Sequence, residues 1–440
     1  MARSKREVLV LGAGAAGLAA AVELVRAGLS VLVLEARARI GGRVWTVRDP
    51  ALAVPLELGA EFIHGRPAAT YRWLREAGLE AVESPRVRWI VRDGALARAD
   101  DRPWHELQRA LRAELASLRR RDIPFSKLLE RLARRGLSER ARAFARRMVE
   151  GYEAADPARA SARAIAEDWT AGGPQGHARP RGGYGALLDV LAHELEARGG
   201  TLRLRAEVRA VRWKRGAVEV EGVCRGRAFR ARGERAIVTL PLGVLKLPGG
   251  VPGAVRFEPE LGRAKREALA RLEAGPVIKA VLRFRRAFWE VLEGGRYRDA
   301  TFFHAPASPF PTFWTAAPER APLLVAWAGG PKAERLSGLP PRELVEEALA
   351  GLASLFGAKR EIAALLAGAR VHDWLRDPYS RGAYSYLAPG GAGARDALAA
   401  PLAGTVFFAG EAADLDGEHG TVAGALASGQ RAAREILEHR

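Results

Sequence analysis

The stretch VLVLGAGAAGLAAAVELVRAGLSVLVLEARARIGGR, Val8 to Arg43, decides the fold. Residues 8–11 form a short apolar run, residues 15–27 are rich in helix formers, Gly28 is a helix stop, and Val31–Leu34 is a second apolar run. Strand, helix and strand in this order predict an α/β protein with a doubly wound, Rossmann-like sheet covered by helices on both faces. The glycines divide the work at the first turn: Gly12 permits the tight bend, Gly14 lets a pyrophosphate approach the backbone, and Gly17 allows helix and strand to pack closely. Ala15 and Ala16 open the helix, whose free N–H groups and partial positive charge suit phosphate oxygens. Glu35 ends the second strand, with Ala36 after it, placed to accept hydrogen bonds from ribose hydroxyls; its charge would repel a 2′-phosphate, which disfavours NADP. NAD and FAD remain, and Arg39, Gly41, Gly42 and Arg43 add two glycines and a cation for a second approach to the pyrophosphate. That pattern favours FAD.

Working outward, residues 78–170 read as several helices with charged faces and a Pro/Gly-rich exit at 172–185. Residues 186–198 look helical, 201–211 and 217–223 look like strands, and 235–240 is an apolar run ending at Pro241. Strands are expected again at Val277–Phe284, 301–314 and 323–327, then a helix at Pro341–Phe356. The chain closes with a strand at 406–409, a loop at 410–420 and a helix at 422–437. The sequence-level division is a discontinuous FAD-binding domain (1–77, 184–245 and 383–440) interleaved with a mixed-sheet-plus-helices substrate domain (78–183 and 246–382).

Composition narrows the class. With 48% hydrophobic and 28% charged residues among 440, and no run near the ~20 apolar residues of a membrane helix, a soluble protein without membrane contact is expected. Gly12, Gly14, Gly17, Glu23 and Arg26 interrupt any signal-peptide core, so the cytoplasm is the expected location. Cys224 is the single cysteine, which excludes an internal disulfide and a thiolate cluster; no metal site is expected. The net charge of +19 invites a nucleic-acid reading, but the arginines between Arg109 and Arg147 alternate with leucine and alanine at helical spacing, as on solvated faces. No nucleic-acid partner is expected.

Further stretches carry a resemblance: residues 57–65 (Glu57-Leu58-Gly59-Ala60-Glu61-Phe62-Ile63-His64-Gly65), Pro180-Arg181-Gly182-Gly183-Tyr184, residues 238–246, Pro276-Val277-Ile278-Lys279, residues 377–386, Phe408-Ala409-Gly410-Glu411 and Gly420-Thr421-Val422. With Val8 to Arg43 they resemble the flavin-containing amine oxidase family, in its polyamine-oxidase and monoamine-oxidase branches, over nearly the whole chain. The resemblance implies that Gly59, Ala60, Glu61, Phe62, Val208, Gly410 and Glu411 complete the FAD site, with Val208 at the adenine and Glu411 near the ribityl chain. Thr421 and Val422 would open a last helix whose N-terminus faces the flavin. Lys279, inside an apolar strand, would hold a water at the flavin and assist reaction with oxygen. Trp374 and Tyr384 would wall the amine site, with Thr421 where the monoamine branch has a second cage aromatic, and His64 would relay a proton or bind a distal nitrogen. Ala383 stands where monoamine oxidases carry the cysteine that attaches flavin, so non-covalent FAD is expected.

The implied reaction moves a hydride from the carbon bearing an uncharged amine to flavin N5, with O2 as reoxidant and hydrogen peroxide as product. The substrate would be a small polyamine or monoamine. Glu61, Asp414, Asp416 and Glu418 are candidate carboxylates for a polyamine tunnel. An L-amino-acid oxidase, or a flavin-dependent dehydrogenase or demethylase of a macromolecular amine, stays as the alternative. The chain has no Asn, three Gln, two Met and one Cys, which predicts a thermostable protein. Its melting temperature should lie above the mesophilic range of about 45–65 °C, and a transition within that range would contradict the expectation.

Overall fold

The computed structural model describes residues 6–172, 176–357 and 359–438; the Gly173–Gln175 part of the expected Pro/Gly-rich exit lies outside them. The opening motif forms β1 (Arg6–Leu11), α1 (Ala15–Arg26) and β2 (Val31–Leu34), with β1 and β2 parallel. Val8, Leu9, Val10, Leu11, Val31 and Val33 are fully or almost fully buried, as continuous apolar runs must be when both sheet faces are covered. Strands Thr201–Arg203 and Arg227–Val238 flank this pair in parallel, and Val406–Phe408 adds a further parallel partner to Arg227–Val238. An antiparallel meander, Ala206–Lys214 and Ala217–Cys224 leading into Arg227–Val238, extends the sheet. The structure is α/β, with this eight-stranded sheet and a second, mixed sheet of seven strands among helices.

The second sheet runs in the order Leu366–Asp373, Val277–Phe284, Leu323–Gly329, Thr312–Thr315, Phe302–His304, Arg88–Arg92 and Ala95–Arg98. Several elements differ from the sequence reading. The start of 78–170 is strand, not helix: Arg88–Arg92 and Ala95–Arg98 form a hairpin turned by Asp93 and Gly94, both with positive φ (49° and 78°). That two-residue Asp-Gly turn is a hairpin signal that the charged helical pattern downstream obscured. The expected strand at 301–314 is two short strands around a loop holding Pro306, Pro309 and Pro311. The run at 201–211 is broken by Arg205, whose φ is 57°. Leu366–Asp373 is an edge strand with no buried residue, so no apolar run marked it in the sequence. In addition, Arg256–Glu258, on the substrate side of the expected boundary, pairs with Ala206–Lys214 in the first sheet.

Helices Arg102–Arg120, Phe125–Arg134, Glu139–Gly151 and Ala162–Ala171 form their own apolar cluster and carry the arginine-rich faces. Several of those arginines are paired, Arg131 and Arg135 with buried Glu114 and Arg119 with Glu167. Among the described residues no helix is long and apolar enough to cross a membrane.

The last helix, Val422–Glu438, lies against α1 with almost no space between backbones. A Cβ added at Gly429 would sit 2.2 Å from the Ala16 carbonyl oxygen. Gly429→Ala should therefore cost about 1–3 kcal/mol by overpacking, although alanine is favoured by roughly 1 kcal/mol in a helix. Gly249→Ala, where a Cβ meets nothing within 4 Å, should stay within about 0.5 kcal/mol. Denaturant unfolding of both variants decides the point, and an unshifted midpoint for Gly429→Ala would contradict the packing.

Candidate active site

A cavity of about 770 Å³ runs from the glycine turn after β1 to the second sheet. At its first end Gly12 has φ +112°, and a Cβ at Gly17 would lie 2.0 Å from the Gly12 carbonyl oxygen, so Gly17 packs behind the turn rather than lining the cavity. Gly14 is open: a Cβ there would meet only the Gly41 carbonyl, at 3.8 Å. Gly41 donates to the Ala13 carbonyl at 2.8 Å, so the second glycine pair docks on the first turn. Arg39 is the brace beneath this loop, donating to the carbonyls of Ile40, Gly42 and Val44. Buried Glu35 accepts from the Ala13 N–H at 2.9 Å and the Arg37 N–H at 2.8 Å, which aims its carboxylate at the turn. Ala15, Ala16, Ala36, Gly42 and Val208 line the same end. Glycine loops, helix start and carboxylate together make a cradle with donors for phosphates and acceptors for ribose hydroxyls.

Midway, the first and last parts of the chain meet. Arg43 donates to Glu411 Oε1 at 2.6 Å and to the Ala383 carbonyl. The other Glu411 oxygen accepts from the Ser385 hydroxyl (2.7 Å) and from the N–H groups of Ser385 and Gly420 (3.2 Å each). Burial alone would raise the Glu411 pKa, but Arg43, then Arg395 and Ser385, hold it below the usual range. Gly59 is pressed onto Arg43, where a Cβ would lie 1.9 Å from the Arg43 carbonyl oxygen, and the Ala60 N–H donates to that oxygen at 3.1 Å. Gly410 borders the cavity with φ +128°, and nothing lies within 4 Å of an added Cβ.

Beyond this crossing stands Lys279, with no exposed surface. Its ammonium donates to Glu61 Oε2 at 2.7 Å and to the Gly59 carbonyl at 3.1 Å. Glu61 also accepts from Arg179 (2.9 Å) and from the Trp314 indole (3.0 Å). Burial would raise the Glu61 pKa; Lys279 and Arg179 instead bring it down. Arg179 in turn lies over the Phe62 ring at 4.5 Å. The candidate tunnel carboxylate Glu61 is thus fully committed, because a buried charge needs its partners. Asp414 accepts from the Glu418 N–H, Asp416 is exposed, and neither they nor Glu418 line the cavity.

Trp374 and Tyr384 do border the cavity, with Ala383 and Val277 between them. The Trp374 indole donates to the Leu58 carbonyl at 3.0 Å and the Tyr384 hydroxyl to the Tyr152 carbonyl at 2.8 Å, so each ring is locked from behind. Burial pushes the Tyr384 phenol well above its usual pKa. Thr421 lies nearby, but its hydroxyl caps the last helix, accepting from the Gly424 N–H at 3.1 Å and donating to the Glu418 carbonyl at 2.6 Å. Val422 begins that helix at the cavity wall. His64 meets His177 through their Nδ1 atoms at 3.0 Å, and burial pushes its pKa down to about 4, so it is neutral at pH 7.

Sequence reasoning missed Arg37, held by Asp377 and Ser380, and Arg179, Glu153, Trp314 and Trp327. The tryptophans sit on strands already in view, but their inward direction depends on register. Cys224 is not among the cavity-lining residues. No thiol therefore reaches the site.

Comparison with known proteins agrees with this geometry. Human lysine-specific histone demethylase 2 is 28% identical over 98% of this chain and 53% of its own length. Polyamine oxidase 4 of Oryza sativa subsp. japonica is 29% identical over 98% of this chain and 88% of its own. The chain spans about half the length, or less, of the curated demethylases it matches. Among solved structures, cyclohexylamine oxidase from Brevibacterium oxydans IH-35A superimposes with a TM-score of 0.79 at 25% identity, covering 99% of both chains. Since the sequence model of flavin containing amine oxidoreductases matches residues 15–437, nearly the whole chain, the chain belongs to that family.

Proposed function

We propose that this chain is an FAD-dependent oxidase of small amines. The observation that carries the reading is the pair of locked aromatic rings, Trp374 and Tyr384, facing one cavity with buried Lys279 and continuous with the glycine-loop cradle. The cradle suits FAD: Gly14 and Gly410 leave open backbone, α1 offers its N-terminus, and Glu35 and Glu411 are held as acceptors. We assign this unit to segments 1–77, 184–245 and 383–440, joined by Arg256–Glu258 through its strand pairing. No thiol lines the cavity, which supports non-covalent binding.

Held by this cradle, FAD would supply a hydride acceptor for the carbon bearing the amine and a route for the electrons to O2, the overall reaction giving an imine and hydrogen peroxide. The residues of the chain orient and enclose. Trp374 and Tyr384 present ring faces rather than titrating groups to the amine, since the indole N–H and the phenol are tied to carbonyls. The amine must arrive uncharged, and Lys279 and Glu61, bound to each other as an ion pair, do not hold it as an ammonium. Lys279 is the donor we assign to holding water beside the flavin. His64, neutral and bonded to His177, lines the access route rather than supplying a charge. Thr421 contributes through the helix it caps, whose N-terminus favours negative charge by roughly 0.3–1 kcal/mol. Demethylation of a protein lysine is the second reading, favoured by the demethylase relatives.

Anaerobic mixing of the FAD-loaded protein with a panel of amines tests the proposal. At least one small amine should bleach the visible flavin band, and admitted air should restore it with release of peroxide. No bleaching by any amine would sink the reading. In Lys279→Met the air-driven recovery should slow by roughly tenfold or more while bleaching changes less, and equal losses in both would remove Lys279 from the oxygen step.

A further inference from the structure

The second sheet works as a ruler for the amine cavity. Residues directly opposite across a sheet share a face, and here Lys279 stands opposite Trp327, Trp327 opposite Thr312, and Thr312 opposite His304. On the next strand Arg88 stands beside Phe302, which shares that face with His304. From Lys279 to Arg88 this is four strand spacings, or roughly 19 Å. All of these residues line the cavity, so it begins at the proposed flavin end and finishes at Arg88.

The far end is cationic. Arg147, on the helix Glu139–Gly151, lines it beside Arg88, and its guanidinium has the Phe144 ring at 5.2 Å but no carboxylate partner among the described residues. Burial, and then the charges of Arg88 and Arg92, bring its pKa down to about 10, so it is still charged at neutral pH. The same surroundings push His304 well below its ordinary value, first by burial and then through Arg147 and Arg88, leaving it neutral. Arg88 is paired with Asp101, the one acid lining this end among the described residues, while Arg86 adds an exposed third guanidinium. The remaining acids near the amine path lie elsewhere: Glu61 is bound to Lys279 and Arg179, and Glu153 accepts from the Trp169 indole on the Tyr384 side.

A half-buried guanidinium without an anion is costly, and Arg147 borders the space a substrate enters as well as an outer groove lined by Glu150 and Lys332. We propose that Arg147, with Arg88 beside it, is an anion-accepting end of the amine cavity, so that the preferred substrates are amines whose chain ends in a carboxylate. Polyamines and lysine- or arginine-rich peptides meet like charge there and are disfavoured. The inference rests on the reading of this cavity as the amine-oxidation site.

The test compares dodecylamine, long enough to approach the four-strand span with the reach of the Arg147 side chain, with its ω-carboxylate and ω-amino analogues, equal in length and different only at the far end. On the FAD-loaded protein, kcat/KM should fall from the carboxylate through the methyl to the ammonium terminus, by roughly tenfold or more overall. In Arg147→Gln the ratio of carboxylate-ended to methyl-ended amine should fall by a similar factor, and Arg147→Lys should restore part of it. Dodecanoate, which cannot be oxidised as an amine, should perturb the bound flavin spectrum and bind roughly tenfold more weakly to Arg147→Gln. Oxidation of all three amines with no preference, or with the diamine preferred, overturns the anion end and leaves the amine-oxidase reading intact. Failure of all three to bleach the flavin strikes that reading instead, and the dodecanoate comparison then decides the anion end, equal affinities overturning it.

Discussion

The buried contact between Arg43 and Glu411 closes the structure on itself. It joins residues 368 positions apart, and through Ser385 and Gly420 it gathers two further segments around one carboxylate. Such a charge is tolerable inside a protein only when its lone pairs are filled, so the four segments must arrive together. What they enclose is one continuous cavity with the glycine turn at one end and the second sheet at the other. The β1–α1–β2 unit alone would offer a phosphate cradle with an open side; the Arg43–Glu411 closure supplies the opposite wall.

A second closed network sets the chemistry at the far side of that crossing. Lys279, Glu61 and Arg179 sit buried together, and the Trp314 indole completes the carboxylate's shell. The group keeps Lys279 in place and leaves Glu61 with no capacity to trap an ammonium. In the proposed reading, an amine next to Trp374 and Tyr384 meets aromatic rings whose polar tips are tied to backbone carbonyls. The charges that do discriminate lie several strands away, at Arg88 and Arg147. Family membership is common to this chain and to relatives named for polyamines, cyclohexylamine and histone lysines, so specificity has to come from positions such as these.

Local chemistry made part of this legible in the sequence. Gly12, Gly14 and Gly17 act within six residues of one another, and Glu35 bonds the same turn, so spacing alone predicts their geometry. Lys279 inside an apolar strand announces a buried cation, though not its partner. Relations across the sheets were out of reach. Arg179 meets Glu61 across 118 residues, His64 meets His177 across 113, and Arg147 comes beside Arg88 only because tertiary packing brings a helix and a strand far apart in sequence to one cavity. Thr421 borders the cavity and also caps the last helix it was expected to open, a role that the Thr-x-x-Gly spacing permits. The strands at 88–98 were lost because charged residues at helical spacing follow them directly, and the Asp93-Gly94 turn was the signal that outweighs that pattern.

The central claim is that the closed cavity holds FAD without a covalent bond. The direct measurement is to load the purified protein with FAD, remove free flavin, denature with acid, and assay flavin in supernatant and pellet. The account predicts close to one FAD per chain, all of it in the supernatant. Failure to retain FAD, or flavin that stays with the pellet, would contradict it.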